Sequence, residues 1–211
     1  MEDWDAWALY PQHRWIYNKL ELSMRLGYTC GPAPMPVPRS GYYCVRPIMN
    51  LGGMAAQAKV CYLEKHKILE IPPAHFWCER FEGDQYSVNF EWQDNCLVAV
   101  HTSKGYTDMK NLYRFHSWKK IANKQFPLPD WITELQDVAR INMEFIGNCI
   151  IEIHLRWGED FPDGAQEIIS VWDDTPQETC TNLEKQGYRF YGDYVDAEKN
   201  IPHARLGFYY K

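Results

Sequence analysis

The chain has 211 residues, a length that fits one large domain or two small lobes. Hydrophobic residues make up 45% and aromatic residues 15%, which is typical of a well-packed globular protein and not of a disordered one. The net charge of −6 gives nucleic-acid binding no general electrostatic support. No apolar run approaches the roughly 20 residues that span a bilayer, which argues against a membrane protein.

Seven cysteines are scattered along the chain, and no two of them form a CxxC pair. Their odd number and wide spacing argue against a zinc knuckle or a thioredoxin-type motif and favour buried thiols in a reducing compartment. The N-terminus MEDWDAW is acidic and lacks the basic and apolar regions of a signal peptide. We therefore expect a cytoplasmic protein.

The first third of the chain reads as a helix, a connector and a strand. Apolar residues recur at helical spacing over 13–27, and Lys19 lies beside that stripe, where a surface lysine is an ordinary alternative to a functional one. Four prolines in 31–38 predict an extended connector. The residues that follow, 41–48, predict a strand that carries Arg46.

A glycine pair, Gly52-Gly53, lies among small and flexible residues between Arg46 and Lys59. One interpretation is an ordinary hairpin turn. The other is a loop whose backbone N–H groups fold over phosphates, because no side chain blocks close approach. The pair fits neither the Walker A nor the Rossmann pattern, and the two flanking cations are what favour the second interpretation.

The middle of the chain predicts strands and then a basic segment. Residues 74–91 form two predicted strands, and with Cys96–His101 they predict an antiparallel meander. Residues 102–126 are rich in lysine and predict either a solvated loop and helix or a mobile element that closes over an anionic ligand. In the second case Lys104 is a candidate catalytic residue. Residues 127–140 predict a helix with Asp130 as its N-cap.

The most informative stretch is Ile141–Trp157, which predicts a β-hairpin with its turn at Gly147. Side chains alternate across a strand, so Glu152, His154 and Arg156 share one face of the second strand. Such a face is costly to bury unless a ligand binds there.

Glu144 lies on the first strand of this hairpin and can reach the same face. Paired carboxylates suit a hard divalent cation, and an arginine beside them suits a phosphate. The alternative is a solvent-facing strand with a surface salt bridge. Beyond the hairpin we expect a strand over 168–172, a helix over 179–186, and two aromatic strands over 188–191 and 204–210.

Taken in chain order, the motifs resemble those of the ATP-grasp superfamily of carboxylate–amine ligases. The resemblance covers about residues 15–157. The matching segments are Tyr17-Asn18-Lys19-Leu20, Val45-Arg46-Pro47, Gly53-Met54 through Lys59-Val60, Glu79 through Asn89, Glu144, and Ile150 through Arg156. The resemblance implies an α+β fold in which two antiparallel-sheet lobes with helices hold a nucleotide between them. It implies one domain over 1–211, with the small lobe and nucleotide-binding strands over about 15–100 and the metal-binding hairpin lobe and C-terminal region over about 101–211.

The resemblance also implies roles for individual residues. Lys19 and Arg46 would contact the phosphates of ATP, and Arg156 would stabilise the transferred phosphoryl group. The flap over the phosphates would be Gly52, Gly53 and Met54. Adenine would bind along Glu79–Phe81, and Gln85 would face the ribose. The metal, Mg²⁺ or Mn²⁺, would be held by Glu144, Glu152 and His154. The reaction would join a carboxylate, of a small molecule or a peptide, to an amine.

Three residues depart from the family pattern, and each departure has a consequence. Arg46 stands where a lysine is usual, His154 where an asparagine is usual, and Gln85 where an acid usually binds the ribose. Imidazole is a poor ligand for Mg²⁺, so either Mn²⁺ is tolerated or His154 acts through another group.

Few residues precede Lys19, although the family usually has an α/β domain there. We therefore expect a trimmed form of the family. In that form a second copy or a partner completes the acceptor site, or the chain binds nucleotide without ligase activity. A structural or interaction protein is a third hypothesis, based on the aromatic content alone.

Overall fold

The computed structural model describes residues 1–51, 55, 57–68, 70–107, 112, 114–158, 161–192 and 205–211. The strands are β1 (Cys30–Pro32), β2 (Gly41–Pro47), β3 (Lys59–Leu63), β4 (His75–Glu79), β5 (Gln85–Gln93), β6 (Cys96–Thr107), β7 (Phe115–Ile121), β8 (Arg140–Ile146), β9 (Cys149–His154), β10 (Glu167–Trp172), β11 (Arg189–Gly192) and β12 (Arg205–Tyr210). The helices are α1 (Asp3–Leu9), α2 (Lys19–Arg25), α3 (Gln177–Lys185) and two 3₁₀ helices, Pro11–Tyr17 and Asp130–Leu135.

The strands form two antiparallel sheets. A four-stranded sheet has the order β1-β4-β2-β3, and an eight-stranded sheet has the order β11-β12-β10-β7-β6-β5-β8-β9. This confirms the predicted α+β class with two antiparallel sheets. The smaller sheet ends at Glu79 and the larger begins at Gln85, so a five-residue segment carries the chain from one sheet to the other.

The main core lies on one face of the larger sheet. Apolar residues of β5, β8 and β9 alternate inward there and pack against the N-terminal helices and the second 3₁₀ helix. The smaller sheet has a core of its own around Tyr43, Val45 and Trp77 on one face. Its other face carries Arg46 toward the hairpin β8–β9, where the guanidinium meets Glu152.

The helix predicted over 13–27 is wrong in its continuity. The structure has a 3₁₀ helix that ends at Tyr17 and a separate α-helix that begins at Lys19. Asn18 breaks the helix because its backbone is extended and its side chain accepts a hydrogen bond from the Glu21 amide at 3.0 Å, which makes it the N-cap of α2. Gly27 follows α2 with a φ of 75°, a conformation that glycine adopts without strain.

The helix predicted over 127–140 is also mostly wrong. Only Asp130–Leu135 is helical, in 3₁₀ form, and the N-cap is Pro129, not Asp130. The Trp92 indole donates to the carbonyl oxygens of Leu135 at 3.2 Å and Val138 at 3.1 Å. The Leu135 carbonyl also accepts from the Val138 amide at 3.0 Å, so the last turn closes at Val138, and the indole supplies a further donor to the carbonyl groups at this end of the helix.

The interpretation of 102–126 as a loop and helix is wrong over the described residues, because β6 and β7 occupy much of this segment. The alternative of an element that closes over an anionic ligand stays a prediction. Gly105 is no hinge. It lies inside β6, where a Cβ atom would come within 2.8 Å of Phe115 and 2.9 Å of Trp118. The glycine is required because aromatic rings of β7 cross over the backbone at this point.

The predicted meander is correct only in part. The strands on either side of Glu82-Gly83-Asp84 exist, but β4 pairs with β1 and β2 while β5 pairs with β6 and β8. The turn therefore links two sheets, not two neighbours in one sheet. The predicted C-terminal strands and helix are confirmed as β10, α3, β11 and β12. Among the helices of the described ranges, none has the length and apolarity needed to cross a bilayer.

One histidine of the larger sheet makes stability sensitive to acid. His101 of β6 packs against the ring of Phe161 at 5.0 Å, and its Nε2 has no hydrogen-bond partner among the described residues. Burial, with a smaller contribution from the charge of Lys120, lowers the pKa of His101 below the usual value for histidine. The folded state thus favours the neutral ring. The resulting contribution to the free energy of unfolding is present at neutral pH and is lost as the pH falls.

We expect His101→Gln to make the free energy of unfolding depend less on pH. Measured by urea unfolding between about pH 8 and pH 5, the free energy of unfolding should fall less steeply in the variant than in the wild type, by up to about 1.4 kcal/mol per pH unit. His116→Gln, at an exposed position of the neighbouring strand β7, is the matched substitution against which the slope of His101→Gln is compared. Equal slopes for His101→Gln and the wild type would contradict the assignment.

Candidate nucleotide and metal site

The predicted hairpin is confirmed in its strands and its turn. β8 and β9 pair antiparallel, and Gly147 takes a φ of 61° between them. Glu144 lies directly opposite Glu152 across the ladder, so the two carboxylates share one face as the spacing predicts. Ile153 and Leu155 point to the opposite face and are buried in the main core.

Lys19 and Arg46 both reach Glu152 of this hairpin. The Lys19 ammonium donates a hydrogen bond to Glu152 Oε1, and Arg46 Nη1 lies 3.5 Å from the same oxygen. Arg46 Nη2 also donates to the carbonyl oxygen of Ile151 at 3.1 Å. All three charged side chains are largely buried, with exposed fractions of 8%, 11% and 14% for Lys19, Arg46 and Glu152. The alternative of a solvent-facing surface salt bridge is therefore wrong.

Backbone contacts hold the start of α2 against the segment that follows β2, which explains why Lys19 and Arg46 lie close together. The Lys19 amide donates to the carbonyl oxygen of Ile48 at 2.8 Å, and Asn18 forms an isolated bridge with Met49. These contacts hold Lys19 close to Arg46, which lies two residues before Ile48. Arg46 Nε is buried and has no hydrogen-bond partner among the described residues, so one donor of its fork is available to a ligand.

A third carboxylate, Asp3 of α1, completes the cluster, and no pattern in the sequence predicts it. Arg156 donates from Nε to Asp3 Oδ1 at 2.9 Å and from Nη2 to Asp3 Oδ2 at 3.3 Å. His154 Nδ1 lies 2.9 Å from Asp3 Oδ2, and its Nε2 lies 3.7 Å from Glu152 Oε2. His154 thus bridges the Asp3–Arg156 pair and the Lys19–Glu152 pair. Asp3 is 3% exposed.

The charged groups in this cluster shift one another's pKa values. Burial alone would raise the pKa of the Glu152 carboxyl, but the charges of Lys19, His154 and Arg46 hold its pKa below the usual value. Burial would lower the pKa of His154, but the hydrogen bond and charge of Asp3, with the charge of Glu152, raise it instead. The cluster therefore favours the ionised form of the Glu152 carboxyl and the protonated form of the His154 imidazole.

The residues predicted to face the adenine and the ribose are engaged with neighbouring groups. Glu79 Oε1 accepts a hydrogen bond from the Thr29 amide at 2.7 Å, and the ring of Phe81 lies 4.6 Å from that of Tyr28. Gln85 Nε2 donates to Glu144 Oε2 at 3.2 Å. Gln85 and Glu144 therefore meet at the rim of the cluster, and Glu79 and Phe81 lie where the chain passes between the sheets.

Two further predicted positions do not join this cluster. Lys104 of β6 pairs with Asp84 at 2.8 Å, which raises the pKa of Lys104, and the structure does not bring it to Glu152 or Arg156. The predicted phosphate flap, Gly52, Gly53 and Met54, lies outside the described residues. Its placement over a ligand stays a prediction.

The donor chemistry of the hairpin suits a hard cation only in part. Carboxylate oxygens of Glu144 and Glu152 are the ligands that Mg²⁺ prefers, whereas His154 directs one ring nitrogen at Asp3. Over the described ranges, no three His, Cys, Asp or Glu side chains are arranged to hold a metal ion by themselves. Mg²⁺ is usually held by one or two carboxylates together with substrate phosphates, and the two glutamates meet that lesser requirement.

A buried amide pair holds the segment that follows Arg156. Asn89 Oδ1 accepts from the Gly158 amide at 3.0 Å and from Asn142 Nδ2 at 2.8 Å, while Asn89 Nδ2 donates to the Gly158 carbonyl at 3.1 Å. Asn142 and Asn89 lie opposite each other on β8 and β5. We call this pair with Gly158 the asparagine clamp. It fixes the backbone two residues beyond the arginine of the site.

Three solved structures match most of this chain. The N5-carboxyaminoimidazole synthetase of Staphylococcus aureus, complexed with ADP, matches with a TM-score of 0.55 and 11% identity over 92% of this chain and 67% of its own. The carboxyaminoimidazole ribonucleotide synthase of Aspergillus clavatus, complexed with ATP, matches with a TM-score of 0.51 and 10% identity over 93% and 68%. The L-amino acid ligase of Bacillus licheniformis matches with a TM-score of 0.50 and 9% identity over 92% and 65%.

The chain has an ATP-grasp fold. This confirms the fold that the order of sequence motifs implied. No protein-family model and no curated protein matches the sequence, and identities of 9 to 11% carry the fold alone. The chain spans about two thirds of the length of the structures it matches.

Proposed function

We propose that this ATP-grasp chain binds ATP with a divalent cation and joins a carboxylate to an amine through an acyl phosphate. The observation that carries the proposal is the convergence of Lys19 and Arg46 on Glu152, beside His154 and Arg156. Cations from α2 and from the smaller sheet contact a carboxylate of the larger sheet, at the junction between the two sheets. Two of the structural neighbours are described as complexes with ATP or ADP, which supports a nucleotide at this junction.

Phosphate binding would use the cations that now neutralise Glu152. Lys19 and Arg46 would turn toward the phosphates, and the unpartnered Nε of Arg46 adds a buried donor for an anion. The segment from Glu79 to Phe81 would bind adenine through backbone groups, and Gln85 would reach the ribose. Glu144 and Glu152 would hold Mg²⁺, or Mn²⁺, together with those phosphates. The metal would neutralise charge that develops on the phosphoryl group.

In the proposed reaction, a carboxylate oxygen of the first substrate attacks the γ-phosphorus, and ADP leaves. The amine of the second substrate then attacks the acyl carbon, the bond from that carbon to the phosphate oxygen breaks, and inorganic phosphate leaves with the proton that the amine gives up as the amide forms. The protein contributes position and charge in both steps. Arg156 would face the oxygens of the transferred group, since its planar fork suits phosphate and carboxylate. Lys104 stays a second catalytic candidate only if its pair with Asp84 opens.

A second candidate function is nucleotide binding without turnover. It is favoured by one observation, namely that Asp3 already takes two donors of Arg156. A chain whose phosphoryl-binding arginine is held by its own carboxylate could retain an ATP site and lack ligase activity. A cytoplasmic location, and a second copy or partner that completes the acceptor site, stay predictions for either function.

Calorimetry with ATP tests the proposal. We expect the wild type to bind ATP with Mg²⁺ or Mn²⁺ and to bind it at least about tenfold more weakly without a metal. Glu152→Gln, which keeps the shape of the side chain, should lose the metal dependence. Glu167→Gln is the matched control, because Glu167 pairs with Lys119 on β10 and β7, at another part of the larger sheet.

The result that would overturn the proposal is a folded wild type that binds no ATP with either metal. If ATP binds, ADP release is then measured with paired carboxylates and amines. Release that requires both substrates supports the ligase, whereas tight binding without ADP release under any pair supports the second candidate. Circular dichroism melting checks that each variant is folded before its affinity is compared.

A further inference from the structure

The N-terminal helix α1 places a carboxylate on the cations of the candidate site. Asp3 is 3% exposed, and both of its oxygens face Arg156, with Oδ2 also facing His154. The contact is an arginine–carboxylate pair of two hydrogen bonds at 2.9 and 3.3 Å. A ligand carboxylate or phosphate would use the same planar fork.

We propose that α1 is an autoinhibitory plug, in which the Asp3 carboxylate competes with an anionic ligand for Arg156 and His154. The inference rests on the proposed anion-binding role of Arg156 and goes beyond it, because α1 lies outside the motifs that resemble the family. In the plugged state the fork of Arg156 is satisfied by the chain itself. An anion gains those contacts only after Asp3 withdraws.

The attachment of α1 suits an element that can be displaced. The helix has seven residues and is held on its inner side by Asp3, by the buried Ala6 and by Trp7, whose ring lies 5.7 Å from that of Tyr17. Its outer side is open, with Trp4 61% exposed. A helix this short has little stability apart from its packing, so loss of the Asp3 contact removes one of its few anchors.

Competition lowers the apparent affinity for the anion. When only a fraction of molecules has Asp3 withdrawn, the measured Kd equals the intrinsic Kd divided by that fraction. Removing the negative charge of Asp3 raises the fraction and tightens binding. If Asp3 instead only positioned Arg156 for the ligand, removing its charge would weaken binding. The two roles therefore predict changes of opposite sign.

The experiment uses the full chain and two probes, ATP and inorganic tripolyphosphate, each with Mg²⁺, in calorimetric titrations. Asp3→Asn should lower the Kd for tripolyphosphate by about tenfold or more. Asp5→Asn makes the same change of charge on the exposed side of the same helix and should leave the Kd within about twofold of the wild type. Hydrogen exchange of residues 3–9 in the wild type gives a second measurement that needs no variant. Saturating tripolyphosphate should speed exchange there.

The measurements with the two probes distinguish failure of the autoinhibitory plug from failure of the proposed function. Tighter tripolyphosphate binding by Asp3→Asn, with no ATP binding by any variant, upholds the plug and overturns the nucleotide function. Unchanged or weaker binding of tripolyphosphate by folded Asp3→Asn overturns the plug, whatever ATP does. If Asp3→Asn does not fold, the exchange of residues 3–9 decides. Exchange that stays the same or slows on addition of tripolyphosphate overturns the plug.

Discussion

Replacing Glu152 by alanine is expected to destabilise the folded chain by about 3–5 kcal/mol. The side chain is 14% exposed, and its loss leaves the buried ammonium of Lys19 and guanidinium of Arg46 without the carboxylate that neutralises them. Two uncompensated like charges would then share a low-dielectric space. Urea unfolding at neutral pH measures the difference in the free energy of unfolding.

A matched substitution distinguishes the cost of leaving buried charges unpaired from the cost of losing an ion pair at an exposed position. Glu167→Ala removes an ion pair with Lys119, whose side chain is 48% exposed, and a hydrogen bond from Tyr188 at 3.1 Å, and should cost at most about 1–2 kcal/mol. A double-mutant cycle with Lys19→Met should return a coupling energy of more than about 1 kcal/mol with Glu152. If Glu152→Ala costs no more than Glu167→Ala, the cluster is hydrated in solution and our description of it as buried is wrong.

Replacing Asn89 by alanine should cost about 2–4 kcal/mol, the second-largest effect we expect. The asparagine clamp loses three hydrogen bonds at once, and the amide and carbonyl groups of Gly158 lose their side-chain partner, whereas Asn142 Nδ2 keeps Ser87 Oγ and the Val88 carbonyl as acceptors. Burial of such groups without partners is what makes the loss larger than that of a surface amide. Thermal and urea unfolding both report it.

Gln93 provides the control for this change, because it lies on the same strand and is exposed. Gln93→Ala should alter the free energy of unfolding by no more than about 0.5 kcal/mol. Hydrogen exchange at the Gly158 amide gives a local measurement, and we expect slow exchange in the wild type and fast exchange in Asn89→Ala. Slow exchange in both would mean that the amide is protected by something other than the clamp.

The hairpin could be predicted because its determinants are local. Alternating side chains and the turn at Gly147 are visible in the sequence, and they place Glu152, His154 and Arg156 on one face. Resemblance to a family added Lys19 and Arg46, which no local pattern connects to the hairpin. The structure brings both into contact with Glu152.

Asp3 could not be predicted because its partners lie 151 and 153 residues away. The helix that carries it did have a local signal, since the Glu2 amide donates to Asp5 Oδ2 at 3.0 Å, as in a capped first turn. An acid three residues after the first polar residue of the chain would have suggested this helix. Nothing in the sequence shows that Asp3 points to Arg156.

The two wrong helices have different causes. Asn18 breaks the first from within its own segment, because it caps α2. At the second, the indole of Trp92 on β5 donates to the carbonyl groups with which the 3₁₀ helix ends. Aromatic rings from β7 explain why position 105 of β6 is a glycine. The last two effects come from residues on other strands, so neither appears within a window of the sequence.

The contact between Asp3 and Arg156 closes a loop of almost three quarters of the chain, with partners 153 residues apart. Lys19 and Glu152 are separated by 133 residues, and Arg46 and Ile151 by 105. Contacts this distant in sequence form late in folding. Closing such a long loop has a large entropy cost, so strands that are near in sequence pair first. The charged cluster therefore governs how quickly the native protein opens more than how quickly it forms. It also means that a ribosome must release nearly the whole hairpin β8–β9 before the charges of the N-terminal segment find their partners.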